Sequence, residues 1–314
     1  MKSLNKAINI CAYILLYAVL FFTTSCEELP PYIAFNEPIP IDLTCKEKAN
    51  IDENEFSKTN TSFVSSELPE AQCKMVLIEE FSGVRCVRCP EGHQKVADLL
   101  ESHPNEVAAI TMHAGYLSEP YPENRENYVL EEGVFLYELF QGIALPAAAI
   151  DRTKYKEEEY VAIVNKNAWA GKVNERLQIT APMNLYTHYE YNPLNRELQI
   201  FVRAYYLENF DASSTHLLSV SLSESNIIDY QLVPLGETSS KIQPDYQHNH
   251  VLRTMLTPPT GITLDVDKVK GMVVERIFNA ILPNHWKVED MEIIAFVHDG
   301  TTNNVLQTAK KHIE

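Results

Sequence analysis

Residues 76–94 read VLIEEFSGVRCVRCPEGHQ. A short apolar run closes on two acids, and two cysteines three apart then precede a proline that opens a helical pattern. A pair spaced this way serves as a redox couple, as half of a metal site, or as a structural disulfide bracing a helix start. The compartment of the chain and the fold around the pair decide between these.

The compartment is read from the amino terminus. Lys2 and Lys6 precede an apolar stretch, 7–22, which is followed by TTSC ending at Cys26. This is the layout of a secretory signal, and small residues before a cysteine resemble a bacterial lipobox, with Thr23 where leucine is usual. Residues 1–25 are expected to be a lipoprotein signal peptide, with Cys26 lipidated and membrane attachment through two acyl signals. A retained anchor or a cut elsewhere is the alternative. No second apolar run reaches the ~18 residues that a spanning helix needs. The chain then works outside the cytoplasm, where disulfides persist.

Composition narrows the partners. The formal charge is −17 and no stretch clusters Lys and Arg, so a nucleic-acid partner is excluded. At 314 residues, with 45% hydrophobic content and 16 tyrosines, the chain is long enough for two folded domains. No phosphate loop, Ser-His-Asp order or paired catalytic carboxylates stands out, and no separate cofactor is expected.

Of six cysteines, Cys11 leaves with the signal and Cys26 carries lipid. Cys45, Cys73, Cys86 and Cys89 remain and allow three pairings. The favoured set is Cys86–Cys89 with a structural Cys45–Cys73 bridge. A four-cysteine zinc site would ask for two C-x-x-C halves, and Cys45 and Cys73 are too far apart in sequence to supply the second.

Residues 26–72 read as a tether and linker. From 73 the pattern alternates: apolar runs at 74–81, 106–114 and 143–151 interleave with helical spacing at 90–103, 125–140 and 157–177. This predicts an α/β layered domain over 73–177 with a largely parallel sheet. After 178 the period shortens to two. Strands are expected at 183–191, 196–207, 215–225, 248–256, 275–282 and 291–299, with turns at 192–195 and 299–304. That describes an antiparallel, all-β immunoglobulin-like sandwich over 178–314.

A C-x-x-C at a helix start places the first thiol near unsatisfied N–H groups and the positive dipole end, which favours its thiolate. The second cysteine can then resolve a mixed disulfide. Arg85 and Arg88 would add to this if they point at the sulfur. The arrangement resembles the thioredoxin superfamily: VLIEEFSGVRCVRC supplies strand and motif, Glu80 stands six residues before Cys86, and Pro146 in ALPAAAID precedes an apolar strand. More narrowly, VLIEEFSGVRCVRCPEGH, the lipobox and YQHNHVLR at 246–253 resemble the outer-membrane-protein-28 family of bacterial lipoproteins.

The resemblance implies a thioredoxin-like fold and an outer-membrane lipoprotein, on the periplasmic face or the cell surface. Cys86 would be the attacked or attacking sulfur and Cys89 the resolving one. Glu80 would serve as a buried proton acceptor and Pro146 as a cis-proline shaping the substrate groove. Extracytoplasmic protein thiols or disulfides would be the partners. Glu79 is expected to be solvated on the opposite face. His113 ends a strand near the motif. His248 and His250 read as packing against tyrosines or bonding a loop, with too few neighbouring ligands for a metal. The alternative function is non-enzymatic: a surface binding or adhesion lipoprotein that recognises protein or glycan through the sandwich. Dimerisation through that domain is compatible with the sequence but not demanded by it.

Overall fold

The structure, a computed structural model, describes residues 56–314. The expected signal peptide, Cys26 and Cys45 lie outside the described residues. Strand β1 (Thr61–Val64) is followed by β2 (Val76–Ser82), helix α1 (Cys89–Ser102), β3 (Val107–His113), α2 (Glu131–Leu139), β4 (Ala147–Ile150) and α3 (Trp169–Leu177). Ten strands follow: β5 (Met183–Asn192), β6 (Glu197–Tyr206), β7 (His216–Glu224), β8 (Ile227–Leu235), β9 (Ser239–His248), β10 (Val251–Met255), β11 (Ile262–Thr263), β12 (Met272–Ile281), β13 (Met291–Asp299) and β14 (Val305–His312).

The strands form three sheets. One runs β1-β12-β6-β5 and a second is the β8–β9 ribbon. The third orders β14-β13-β7-β10-β3-β2-β4, with β11 beside β7. Strands β2 and β3 are parallel in register Val76↔Val107 to Ser82↔His113, whereas β4 runs antiparallel to β2. The sheet around the cysteine motif is therefore mixed, not largely parallel. It also continues past residue 177: Thr111 N–H donates to the His250 carbonyl at 2.7 Å, and β10 carries the ladder on to β7. The two stretches separated at 177/178 in the sequence reading share this sheet.

Hydrophobic burial organises each side of it. Val76, Ile78, Val96, Val107, Ala109, Ile150 and Trp169 form one cluster under α1 and α3. On the other side of β2, Leu77 and Phe81 pack with Leu136, Phe140 and the β13 residue Phe296. Met183, Ile200, Val202, Val220, Leu222, Ile293 and Val297 fill the space between the four-stranded sheet and the β7–β13 part of the large one. Alternate residues of β13 thus enter different clusters, Phe296 the second and Ile293 and Val297 the third, so β13 buries both its faces.

Two helices are shorter than their patterns. The expected helix 157–177 begins only at Trp169, because the apolar VAIV segment is drawn to the sheet: Ile163 and Ala148 exchange backbone hydrogen bonds at 2.9 and 3.0 Å. The 125–140 pattern becomes helical at Glu131, since Arg125 and Tyr128 are held by Asp229 instead.

Glu79 corrects the sequence reading outright. It is fully buried, and Arg152 clamps it bidentately at 2.7 and 2.8 Å. The guanidinium lies 5.3 Å from the Phe140 ring centroid and 4.6 Å from that of Phe296. Removing one member of a buried pair leaves an uncompensated charge, at a cost of ~3–5 kcal/mol. Arg152→Met is therefore expected to lower unfolding free energy by about that amount in urea titration. The double variant Glu79→Leu, Arg152→Met should recover most of the loss.

Candidate functional site

The cysteine motif sits where β2 ends. Gly83 passes so close to the neighbouring loop that a Cβ there would lie 2.4 Å from the Leu117 carbonyl oxygen. A tight turn follows, with Cys86 N–H donating to the Gly83 carbonyl at 3.0 Å and Cys89 N–H to that of Cys86 at 3.2 Å. Cys86 and Cys89 are joined as a disulfide with Cα atoms 5.3 Å apart. Helix α1 opens at Cys89, and Pro90 in its first turn gives up only an N–H that has no helical partner there.

Helical spacing then sets what faces the sheet. Cys89, Gly92 and Val96 are the buried positions of the first two turns, and His93 follows Cys89 by four residues. Gly92 is the closest approach of α1 to the strands. A Cβ on it would stand 2.6 Å from Glu80 Oε1 and 2.9 Å from Pro146 Cβ. The acid, the helix start and the proline thus converge at one point, and the Leu145–Pro146 peptide is cis. Glu80 is fully buried. Its Oε2 accepts from the Thr111 hydroxyl at 3.0 Å, while Oε1 has no hydrogen-bond partner. Burial pushes its carboxyl up to about 8, against the smaller opposing effect of the Thr111 bond. Near neutral pH Glu80 is mainly protonated, so it holds a proton beside the first turn of α1.

A second set of groups reaches the motif from a part of the chain that carried no assignment in the sequence. The β8–β9 hairpin leaves the large sheet after β7, returns at β10, and lies over the 83–89 turn. Leu232 N–H donates to the Val84 carbonyl at 2.8 Å. The Gln231 side-chain amide donates to the carbonyls of Gly83 and Cys86 at 3.2 and 3.1 Å. Asp229 accepts from the Tyr128 hydroxyl at 2.6 Å and from Arg125 N–H at 3.0 Å. Both cysteines are consequently covered, Cys86 at 1% exposure and Cys89 at 0%.

Under the hairpin base the rings of His93, His113, His248, Tyr128 and Tyr246 pack edge to face or tilted, with centroids 4.9–6.4 Å apart. His93 shares hydrogen bonds with Ser82 Oγ at 2.7 Å and with the Tyr246 hydroxyl at 2.6 Å. A half-open cavity of about 420 Å³ lies alongside, lined by Glu80, His93, Thr111, Tyr246 and His250 among others. Burial lowers His93 to about 3 and His248 and His250 to about 4, and holds His113 well below its ordinary value. The cluster is neutral at pH 7. No three His, Cys, Asp or Glu side chains among the described residues converge as a metal-ligand group.

Arg85 is engaged by the carbonyls of Glu119 and Pro120 at 2.7 and 2.8 Å and stacks on Tyr121, while Arg88 is exposed. His248 packs against tyrosines, but it ends β9, and His250 sits in a left-handed turn (φ 56°) instead of on the same strand. Cys73 is disulfide-bonded, and its expected partner Cys45 lies outside the described residues. The hairpin itself was missed because Pro234 and Pro244 interrupt its apolar runs. Proline is tolerated at strand edges, and a two-stranded ribbon has edges on both sides. The GETSS turn at 236–240 was the available signal.

The family model of outer membrane protein Omp28 matches residues 135–314. The chain belongs to the Omp28 family. This Omp28 chain is accordingly an outer-membrane protein. Its fold is similar to that of HBP35 of Porphyromonas gingivalis, with a TM-score of 0.58 and 17% identity, covering 77% of this chain and 76% of that one. A domain of the outer membrane lipoprotein Omp28 from the same organism aligns at 20% identity over 43% of this chain and 89% of its own, with a TM-score of 0.29. No curated protein matches the sequence.

Two expectations follow from this geometry. A methyl group at Gly92 must displace a buried carboxyl and a rigid ring. Overpacking of about 1–3 kcal/mol exceeds the ~1 kcal/mol gain in helix propensity, so Gly92→Ala should lower the thermal midpoint. The second concerns pH. The buried histidines, with folded pKa values near 3–4, contribute stability that is complete above the ordinary 6.5 and lost as pH falls through that window. Glu80 acts oppositely: its contribution is complete below the ordinary 4.5 and lost as pH rises to about 8. Thermal unfolding followed by circular dichroism should show a midpoint highest around pH 6.5, falling steeply toward 4 and gently toward 8. Glu80→Gln should flatten the alkaline limb and steepen the acid limb between about 4.5 and 6.5.

Proposed function

We propose that residues 73–177 form a thioredoxin-like domain and that this lipoprotein exchanges electrons between its Cys86–Cys89 pair and cysteines of extracytoplasmic proteins. The observation that carries the reading is the convergence on Gly92 of a neutral, buried Glu80 and cis-Pro146 at the start of the helix that Cys89 opens. In the oxidising direction a partner thiolate attacks Cys86 Sγ and the Cys86–Cys89 bond breaks. Cys89 leaves as a thiolate, and Glu80 can supply its proton. A second partner thiolate then attacks the partner's own sulfur in the mixed disulfide and releases Cys86. The partner loses two electrons as a new disulfide, and the pair gains them as the Cys89 thiol and a Cys86 thiolate, which takes its proton from solvent. The reducing direction is the reverse, with Glu80 accepting the proton from Cys89. Attachment through Cys26 would hold the domain at the membrane.

A second reading is a binding lipoprotein whose disulfide only braces the turn. The burial of both sulfurs favours it. So does an open hollow of about 650 Å³ lined by Tyr191, Leu198, Asn279 and the exposed Ile281, a surface suited to protein or glycan.

Equilibration with glutathione buffers separates the two. A redox-active pair should titrate at a potential less negative than about −270 mV, and a structural one below about −300 mV. At pH 7 Glu80→Gln should slow exchange with a dithiol protein by about 10²-fold, the lower range for loss of a positioned proton donor. A potential below −300 mV would establish the bracing role and remove the redox assignment.

A further inference from the structure

The hairpin does not merely cover the disulfide; it satisfies the turn as an extended peptide would. Three carbonyls of the motif, those of Gly83, Val84 and Cys86, accept from β8 through one main-chain N–H and one side-chain amide. The facing loop supplies donors, the Tyr128 hydroxyl and Arg125 N–H to the Asp229 carboxylate and the Asn124 amide to the Tyr230 carbonyl at 3.2 Å. Asp229 and Gln231 are both fully buried, and Tyr230 between them is only half-buried. Two residues apart is the spacing at which side chains of an extended strand share a face.

Tyr246 and His248 anchor the base of the hairpin in the ring cluster, and beyond them it makes few apolar contacts. An open gap of about 540 Å³ separates its tip, at Pro234 and Gly236–Ser240, from Val87, Arg88 and Glu91 beside the motif. The 420 Å³ cavity runs along its other strand. Leu235 and Ile242 are exposed, and within the hairpin Val233 is the sole apolar residue buried. A segment that buries so little apolar surface opens at low free-energy cost. The contacts of Asp229, Gln231 and Leu232 with the motif and the facing loop are polar, directional and reproducible by another chain.

We infer that the turn at Gly83–Cys86 and the facing 124–128 loop form a docking groove for an extended polypeptide, which β8 occupies until a partner displaces it. The partner segment presents a carboxylate and, two positions on, a side-chain amide, with a free main-chain N–H between or beside them. The inference rests on the redox reading for its purpose, because a partner in this groove lies against Cys86. Groove occupancy itself can be tested without it.

The test follows reduction of the full chain by a water-soluble phosphine, scored by alkylation of Cys86 in peptide maps. Asp229→Ala removes the anchors to Tyr128 and Arg125 and should be reduced at least 10-fold faster than the wild type. A synthetic peptide of residues 227–235, IIDYQLVPL, should slow the variant at least 5-fold and leave the wild type unchanged, since its own strand already fills the groove. A scrambled peptide should act on neither. Should Asp229→Ala lose its thermal transition, Gln231→Leu, which removes only the amide donors, takes its place with the same expectations. Equal reduction rates, or a peptide that protects neither chain or both alike, would overturn the inference. So would loss of the folded state in both variants, because the hairpin would then be core and not cover. An inert pair by potential would defeat the redox reading yet leave these rates informative about the groove.

Discussion

Two consecutive residues after β4 hold this molecule's two halves in one register. Asp151 and Arg152 both adopt positive φ, at 48° and 52°, a conformation that ordinary side chains take only when surroundings enforce it. The Asp151 carboxylate accepts from Leu77 N–H at 2.8 Å and pairs with Lys74 at 3.0 Å and Arg176 at 2.8 Å. Its carbonyl accepts from Val305 N–H at 2.9 Å. One buried anion thereby ties β2, the segment before it, α3 and β14 together. Arg152 extends the tie through Glu79 to the ring of Phe296 on β13. Every charge in this group has a charged partner and all but the half-buried Arg176 are buried, the condition under which buried ions are tolerated.

The cysteine motif hangs from the same strand by a different logic. Glu79 and Glu80 are adjacent and point to opposite faces of the sheet. One meets a guanidinium and the other meets a hydroxyl and no cation. The paired acid is fixed by charge, whereas the unpaired one avoids its desolvation cost by keeping its proton. The histidines beneath the hairpin avoid the same cost by giving theirs up. The result is that Glu80 and these histidines are all uncharged near neutral pH.

The hairpin links this chemistry to the second half of the chain. It is inserted between β7 and β10, two neighbours in the continuous sheet, so its base is fixed by the ladder while its arm reaches the motif. The β-rich half thus contributes directly to the site, through Asp229, Gln231, Tyr246 and His248.

Much of this was legible in the sequence, and the reason is local. The strand–turn–helix at 76–102 follows from an apolar run, a glycine and a proline, each acting on its own neighbours. The strands from 183 to 225 and 291 to 299 follow from alternation. The closeness of Cys86 to Cys89 and of Glu80 to the start of α1 follows from short spacing along one strand–turn–helix. What the tertiary structure alone decided depends on partners distant in sequence. The fate of Glu79 needed Arg152, 73 residues on, and the loss of helix at 157–168 needed Ala148 as a sheet neighbour. The covering of the disulfide needed a ribbon 145 residues away from Cys86. Periodicity records which face of an element is apolar, but not which other element will meet it. For this protein the sequence determined the motif and its helix, and long-range hydrogen bonds decided that the motif is closed.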